Sequence, residues 1–319
     1  MPAAPVSIEE IRAAHERIAA TIVRTPLVRL QAEDAPAEIY LKLEMLQPIG
    51  SFKLRGASNA MLQASPEDLA HGVWTASAGN MAQGVAWQAR QMGIPCTVVV
   101  PDHAPETKLQ AITRLGATYV KAPFEDWFHV FETREFEGMR GFFVHPFNDP
   151  AVMAGNGTIA LEILEDLPDM DTIIVPFGGG GLSCGIASGV RALKPDAHVY
   201  ACEVETGAPL AASLAAGVPT PVTYTPSFVD GIGSSHVVAD MWPLTQTLLT
   251  GSLVVTLVEV AAALRHLLER HRVLAEGAGA AALAAALTGK AGHGKVVCVL
   301  SGGNIDSTKL VKLLRGELP

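Results

Sequence analysis

Cysteine is scarce in this 319-residue chain. Cys96, Cys184, Cys202 and Cys298 are the only four, and none stands in C-x-x-C spacing. That pattern speaks against a redox pair or a structural zinc site. Three of the four lie in apolar, strand-like runs and Cys184 lies among small residues, as expected of buried free thiols in a reducing compartment. Aromatic residues are few, at 6%, and no basic block occurs; 23 basic residues face 32 acidic ones, for a net charge of −9. A base-stacking platform and an anionic nucleic-acid or membrane partner are therefore not expected. No run reaches the ~18 continuous apolar residues of a membrane span. The N-terminus has no basic stretch followed by an apolar core, so it does not read as a signal peptide. A cytoplasmic protein is expected.

What is present is a chain with 49% apolar and 17% charged residues. That composition suits a well-packed globular protein and excludes wholesale disorder. The length suits about two domains of roughly 150 residues. No repeat of 20–50 residues and no low-complexity linker is visible. Strands are expected at Ile39–Leu43, Val73–Ala76, Cys96–Val100, Thr118–Val120, Phe142–Val144, Thr172–Val175, Val199–Cys202 and Val296–Leu300. Helices are expected near Met81–Met92, Pro105–Leu115, Leu182–Ala192 and Asp306–Leu314. Pro105 suits a first helical turn and Gly116 a C-terminal cap. Ser7-Ile8-Glu9-Glu10 has capping-box spacing and opens an amphipathic helix to about Ala20. Gly277–Leu287, nearly all Ala, Gly and Leu, suits close helix packing. Alternation of helices with continuously apolar strands predicts parallel sheets in an α/β architecture.

Several segments carry chemistry. Gly178-Gly179-Gly180-Gly181 follows a strand and precedes a helix, the arrangement that holds a phosphate on backbone N–H groups. It does not fit G-x-G-x-x-G, so a dinucleotide fingerprint is not supported. Ser77-Ala78-Gly79-Asn80-Met81 also links a strand to a helix; it reads equally as a carboxylate grip or as an ordinary capped turn. Ser301-Gly302-Gly303-Asn304 ends a third strand and, taken alone, reads as a turn. Lys53, in Gly50-Ser51-Phe52-Lys53-Leu54-Arg55-Gly56, reads alone as a surface lysine. Taken together, three strand ends rich in glycine and hydroxyl groups mark where ligands gather in open α/β sheets. A lysine amine nearby can form a Schiff base with an aldehyde cofactor. Two other segments are false leads. Gly289–Lys295 has P-loop spacing, but Val296 follows it and it precedes a strand rather than following one. His266, Glu269 and His271 miss zincin spacing and read as a solvated helix face.

With these segments in view, the chain resembles the fold-type-II pyridoxal-phosphate enzymes, within them the serine/threonine dehydratase and serine racemase branch. The matching text is Leu46–Lys53, Ser77–Gln83, the tetraglycine run, Gly155-Asn156-Gly157-Thr158, Asp230-Gly231-Ile232 and Ser301–Asn304, in family order along most of the chain. The resemblance implies a tryptophan synthase β-like fold of two open parallel-sheet domains with helices on both faces. It also implies a small domain at 49–150 within a large cofactor-binding domain made of 1–48 and 151–319. Lys53 would carry pyridoxal 5′-phosphate as a Schiff base and act as the catalytic base, with Phe52 beside the ring. Gly178, Gly179, Gly180, Gly181 and Leu182 would bind the phosphate, Asn80 would face the 3-hydroxyl, and Ser301 the pyridine nitrogen. Ser77, Ala78, Gly79, Asn80 and Met81 would surround the substrate carboxylate. A homodimer is also implied.

Departures from the family pattern sharpen the expectation. Ala78 stands where racemases of this branch have a second, proton-exchanging serine, which turns the reading from racemisation towards elimination. Met81 stands where many dehydratases have histidine. Glu203 and the Gly207 carbonyl match part of the branch's metal site, but Pro209 falls where an acidic ligand is often found. A monovalent ion such as K+ fits that set better than a divalent one; an ordinary strand-end carboxylate is the alternative. The expected reaction converts an L-β-hydroxy-α-amino acid to a 2-oxo acid and ammonia. Threonine and serine are the default substrates. Phe147 and Met81 near the pocket leave room for a bulkier β-substituent such as phenyl. Racemisation, β-replacement and non-catalytic phosphate-ligand binding are the alternatives.

Overall fold

Ser7 opens the first helix as expected. Its hydroxyl accepts from Glu10 N while the Glu10 carboxylate accepts from Ser7 N, closing a capping box before the Ile8–Ile18 helix. The computed structural model describes residues 4–319. Its strands form two sheets. One contains β1 (Leu27–Arg29), β2 (Glu38–Leu43), β7 (Thr172–Pro176), β8 (His198–Val204), β9 (Gly251–Val255) and β10 (Lys295–Leu300), in the order β1-β2-β10-β7-β8-β9. The other contains β3 (Val73–Ala76), β4 (Cys96–Pro101), β5 (Thr118–Ala122) and β6 (Phe142–Phe143), in the order β5-β4-β3-β6. Every pairing is parallel except β1 with β2.

The apolar strand runs explain this layout. All residues of β3 and β7 are buried, as strands covered by helices on both faces require. The Pro150–Asp166 helix packs on the Lys53–Gln63 and Gly181–Leu193 helices. The Gly277–Leu287 helix is buried from Gly277 to Ala286 and packs on β10 and on the Leu257–His266 helix, as its small residues suggest. All four cysteines are buried and unpaired.

The structure departs from the sequence expectations in four places. β1 and β9 were not anticipated: β1 is three residues long, and β9 is an edge strand with only Val255 fully buried. The Lys53–Gln63, Phe124–Thr133, Pro150–Asp166, Pro209–Ala216, Trp242–Leu248 and Leu257–His266 helices were likewise not anticipated. Pro105 caps the Glu106–Arg114 helix from outside, in an extended conformation, and Gly116 follows with positive φ. His266, Glu269 and His271 do not share a regular helix face, because Leu267–His271 is a π-helical turn. Among the described residues no helix is long and apolar enough to cross a membrane.

Candidate active site

The carboxyl ends of β3, β7 and β10 converge on one cavity of about 370 Å³. Ser77–Met81 leave β3, Phe177–Leu182 leave β7, and Ser301 leaves β10; all line it, together with Phe52 and Lys53. Backbone pairing brings the last two groups together. Phe52 N donates to Ser301 O at 3.0 Å, Gly303 N donates to Gly50 O at 2.9 Å, and Ser51 bridges Gly302. The segment that carries Lys53 is therefore stitched to the segment that carries Ser301.

Lys53 begins a helix and reaches into the cavity, where its amine donates to Pro146 O at 2.6 Å and sits 5.2 Å from the Phe52 ring centroid. Burial lowers its pKa to about 8, against the opposing charge of Glu276. The neutral amine is thus far more accessible near neutral pH than in an ordinary lysine. Two residues on, Arg55 anchors the same helix in a wholly buried charge network. Its guanidinium donates to Glu44 (2.8 Å) and Glu162 (2.6 Å), and Lys42 also pairs with Glu162. Two cations and two carboxylates balance, and their hydrogen bonds offset the desolvation that buried charge suffers.

The glycine run has the geometry of an anion cradle. Gly180 has φ +90°, the Gly181–Leu193 helix starts at Gly181, and its first N–H groups lack intrahelical acceptors. Gly179 has a second constraint: a Cβ there would lie 2.4 Å from the Phe147 ring. Phe147 is in turn held by His145, whose Nδ1 accepts from Phe147 N (3.2 Å) and Asn148 N (2.9 Å) while Nε2 donates to Phe131 O (3.1 Å). Those partners define the tautomer. Burial pushes the His145 pKa down to about 3, so the ring is a neutral strut. It fixes the turn that presents the Pro146 carbonyl to Lys53.

Asn80 lies in the cavity, donating to Glu276 Oε1 and accepting from Asn304 Nδ2, both at 2.8 Å. Ser77 Oγ accepts from Gly79 N at 3.1 Å, and Ala78 and Met81 also line the wall. Glu276 was missed by sequence reasoning. It stands at the N-terminus of the Gly277–Leu287 helix, its N–H donating to Gly302 O. Burial first and Asp230 second raise its pKa to about 7. Nothing in the residues beside it signals chemistry; only the fold brings it to Asn80. Also missed were Trp127, Phe128 and Phe131, which line the cavity from a single helix.

Glu203 and Gly207 lie outside this cavity. The Glu203 carboxylate accepts from Leu210 N (2.9 Å), Ala211 N (2.7 Å) and Ser252 Oγ (2.7 Å), capping the Pro209–Ala216 helix. Pro209, which has no N–H to offer, takes the first turn of that helix. Gly207 makes a bridge to Val204. The geometry gives Glu203 the role of a strand-end capping carboxylate. Among the described residues no group of three or more His, Cys, Asp or Glu side chains is placed to hold a metal ion.

Pyridoxal phosphate fits this donor set: a half-buried amine of lowered pKa, a glycine cradle at a helix N-terminus and a buried serine hydroxyl all open on one cavity. The comparisons agree. The family model "Pyridoxal-phosphate dependent enzyme" matches residues 18–302. The chain is 43% identical to an L-threonine ammonia-lyase of Geobacter sulfurreducens, over 93% of this chain and 75% of that one. It is 39% identical to an L-threonine ammonia-lyase of Thermotoga maritima, over 98% of this chain and 79% of that one. Among solved structures it is similar to maize serine racemase, with a TM-score of 0.90 and 33% identity over 98% of both chains.

Proposed function

The chain belongs to the pyridoxal-phosphate dependent enzyme family, and from that premise we propose that it is an ammonia-lyase acting on L-β-hydroxy-α-amino acids. The observation that carries this reading is Lys53: a half-buried amine with pKa lowered to about 8, in the same cavity as the glycine cradle and Ser301. Similarity to two L-threonine ammonia-lyases supports it. Threonine and serine are the first substrates to test, with phenylserine as the bulkier one.

Lys53 would hold the cofactor through its amine, Gly178 to Leu182 through its phosphate, Ser301 at its ring nitrogen and Asn80 at its ring hydroxyl. The bound cofactor supplies an electron sink for negative charge developed at the substrate Cα. With the cofactor and substrate bound, Lys53 in its neutral form would take the Cα proton. The Pro146 carbonyl steadies the amine. Ser77, Gly79 and the start of the Asn80–Met92 helix orient the substrate carboxylate. The β-hydroxyl would leave as water, carrying the proton that Lys53 took from Cα, so the elimination balances without another acid. Hydrolysis of the resulting enamine, through its imine, yields the 2-oxo acid and ammonia.

The racemase alternative has the maize serine racemase likeness in its favour. Ala78 weighs against it, because a methyl group cannot return a proton to the face opposite Lys53. An assay of 2-oxo acid with chiral analysis of residual substrate separates the two. Release of 2-oxo acid without D-isomer supports the lyase; D-isomer without 2-oxo acid contradicts it.

The remaining assignments follow the same premise. Residues 49–150 form the small domain: all strands of the four-stranded sheet lie within them and all strands of the six-stranded sheet outside. A homodimer is the assembly the family resemblance implies; sedimentation checks it. Four buried, unpaired cysteines support a cytoplasmic location.

A further inference from the structure

The Phe124–Thr133 helix presents an aromatic face that the hydrophobic core only partly absorbs. Phe124, Trp127, Phe128 and Phe131 recur at i, i+3, i+4 and i+7, the spacing of a single helix face. Yet Val130 is the helix's one fully buried residue. Trp127, Phe128 and Phe131 instead line the active-site cavity. Their rings are ordered. Trp127 meets Phe131 edge-on at 4.9 Å and Phe128 meets Phe131 edge-on at 5.7 Å. Trp127 Nε1 donates to Val99 O at 3.1 Å, which pins the indole to β4. Phe131 lies 5.7 Å from Phe147, and Phe147 stands edge-on to the neutral His145 at 4.6 Å. Met81 adds a flexible apolar wall.

The charged groups of the cavity are already engaged. Lys53 and Glu276 belong to the chemistry described above, and Lys108 pairs at 3.1 Å with Asp230, a carboxylate it shares with Lys309 at 3.0 Å. Among the described residues no arginine lines the cavity. An acidic side-chain group on the substrate would have to draw Lys108 away from Asp230, and a small methyl or hydrogen would leave the aromatic wall unfilled. Edge-on aromatic pairs extend favourably to a further ring.

We propose that Trp127, Phe128, Phe131 and Phe147 form the compartment for the substrate β-substituent and select β-hydroxy-α-amino acids bearing an aryl or similarly large apolar group over threonine and serine. The proposal rests on the ammonia-lyase reading and deepens it. Discrimination lies in transition-state binding: a ring that reaches this wall gains contacts that a methyl group cannot make.

The test is steady-state kinetics of the cofactor-loaded enzyme on L-threo-3-phenylserine, L-threonine and L-serine, followed by 2-oxo acid release. The expected kcat/KM for phenylserine exceeds that for threonine by about tenfold or more, since even one methylene in an apolar pocket is worth about 10–200-fold. Phe131→Ala should lower the phenylserine-to-threonine ratio by about tenfold. Phe128→Leu, a milder change, should lower the ratio less. Threonine turned over as efficiently as phenylserine by the wild type, or a ratio unmoved by a folded Phe131→Ala, overturns the aromatic compartment and leaves the lyase reading intact. No 2-oxo acid from any of the three substrates overturns the lyase reading and the proposal with it.

Discussion

Lys53 Nζ donates to the carbonyl oxygen of Pro146 at 2.6 Å. That carbonyl sits in a turn clamped by His145, so the amine is aimed by a rigid strut rather than by a charged partner. A carbonyl acceptor leaves the lysine free to lose its proton. A carboxylate in the same place would hold the ammonium form.

Lys53→Ala removes both the attachment point and the proton acceptor. Ammonia-lyase activity should fall by about 10³-fold or more. The visible absorption of Schiff-base-linked cofactor should vanish while circular dichroism stays native. Retained absorption in the variant would relocate the attachment to another lysine.

Gly179→Ala places a methyl group 2.4 Å from the Phe147 ring. The ring is backed by His145, so it cannot swing aside without breaking that clamp. Overpacking of this kind costs about 1–3 kcal/mol. The cofactor dissociation constant should rise, and Tm of the cofactor-free protein should fall as well, because the clash exists without ligand. Dialysis titration and calorimetry report the two effects separately.

Glu276→Gln tests the carboxyl group whose pKa burial raises to about 7. A carboxyl with a raised folded-state pKa adds stability below its unfolded value, ordinarily near 4.5, and loses it as pH rises through about 7. The wild type should therefore lose stability relative to Glu276→Gln between about pH 4.5 and 7, by roughly 3 kcal/mol in total. Glu276 also raises the Lys53 pKa. The pH at which cofactor attaches to the apo protein should accordingly move lower in the variant. Denaturant melts at several pH values and a reconstitution pH profile check both directions.

Arg55→Met leaves Glu44 and Glu162 buried without their shared guanidinium. Breaking a buried ion pair from one side costs about 3–5 kcal/mol. A quadruple variant that also replaces Glu44, Glu162 and Lys42, the other members of the network, with apolar residues of similar volume should recover part of that loss. Urea midpoints measure it.

These predictions draw on residues of differing legibility in the sequence. The tetraglycine run stood out by itself after a plain apolar strand, whereas Lys53 and Ser301 read alone as a surface lysine and a turn and gained their expected roles from the family resemblance; the structure places all three on one cavity. β3, β7 and β10 were found because strands buried on both faces carry no alternation to misread. Glu276 was not readable, because Glu276-Gly277-Ala278 carries no spacing signal and its partner Asn80 is nearly 200 residues away. The Phe124–Thr133 helix was missed although its aromatics have helical spacing; its face lines a cavity, so the pattern carried function rather than core. Glu203 was read as either a metal ligand or an ordinary strand-end carboxylate; its bonds to the N–H groups of Leu210 and Ala211 could not be read from sequence, because they depend on a helix beginning at Pro209.

The most direct test of the central claim is borohydride reduction of the cofactor-loaded enzyme followed by peptide mass spectrometry. Reduction freezes the Schiff base as a stable secondary amine. The account predicts one pyridoxyl-phosphate adduct, on the peptide containing Lys53, formed in step with loss of activity. An adduct on any other lysine, or none in a protein that releases 2-oxo acid from its substrate, would contradict it.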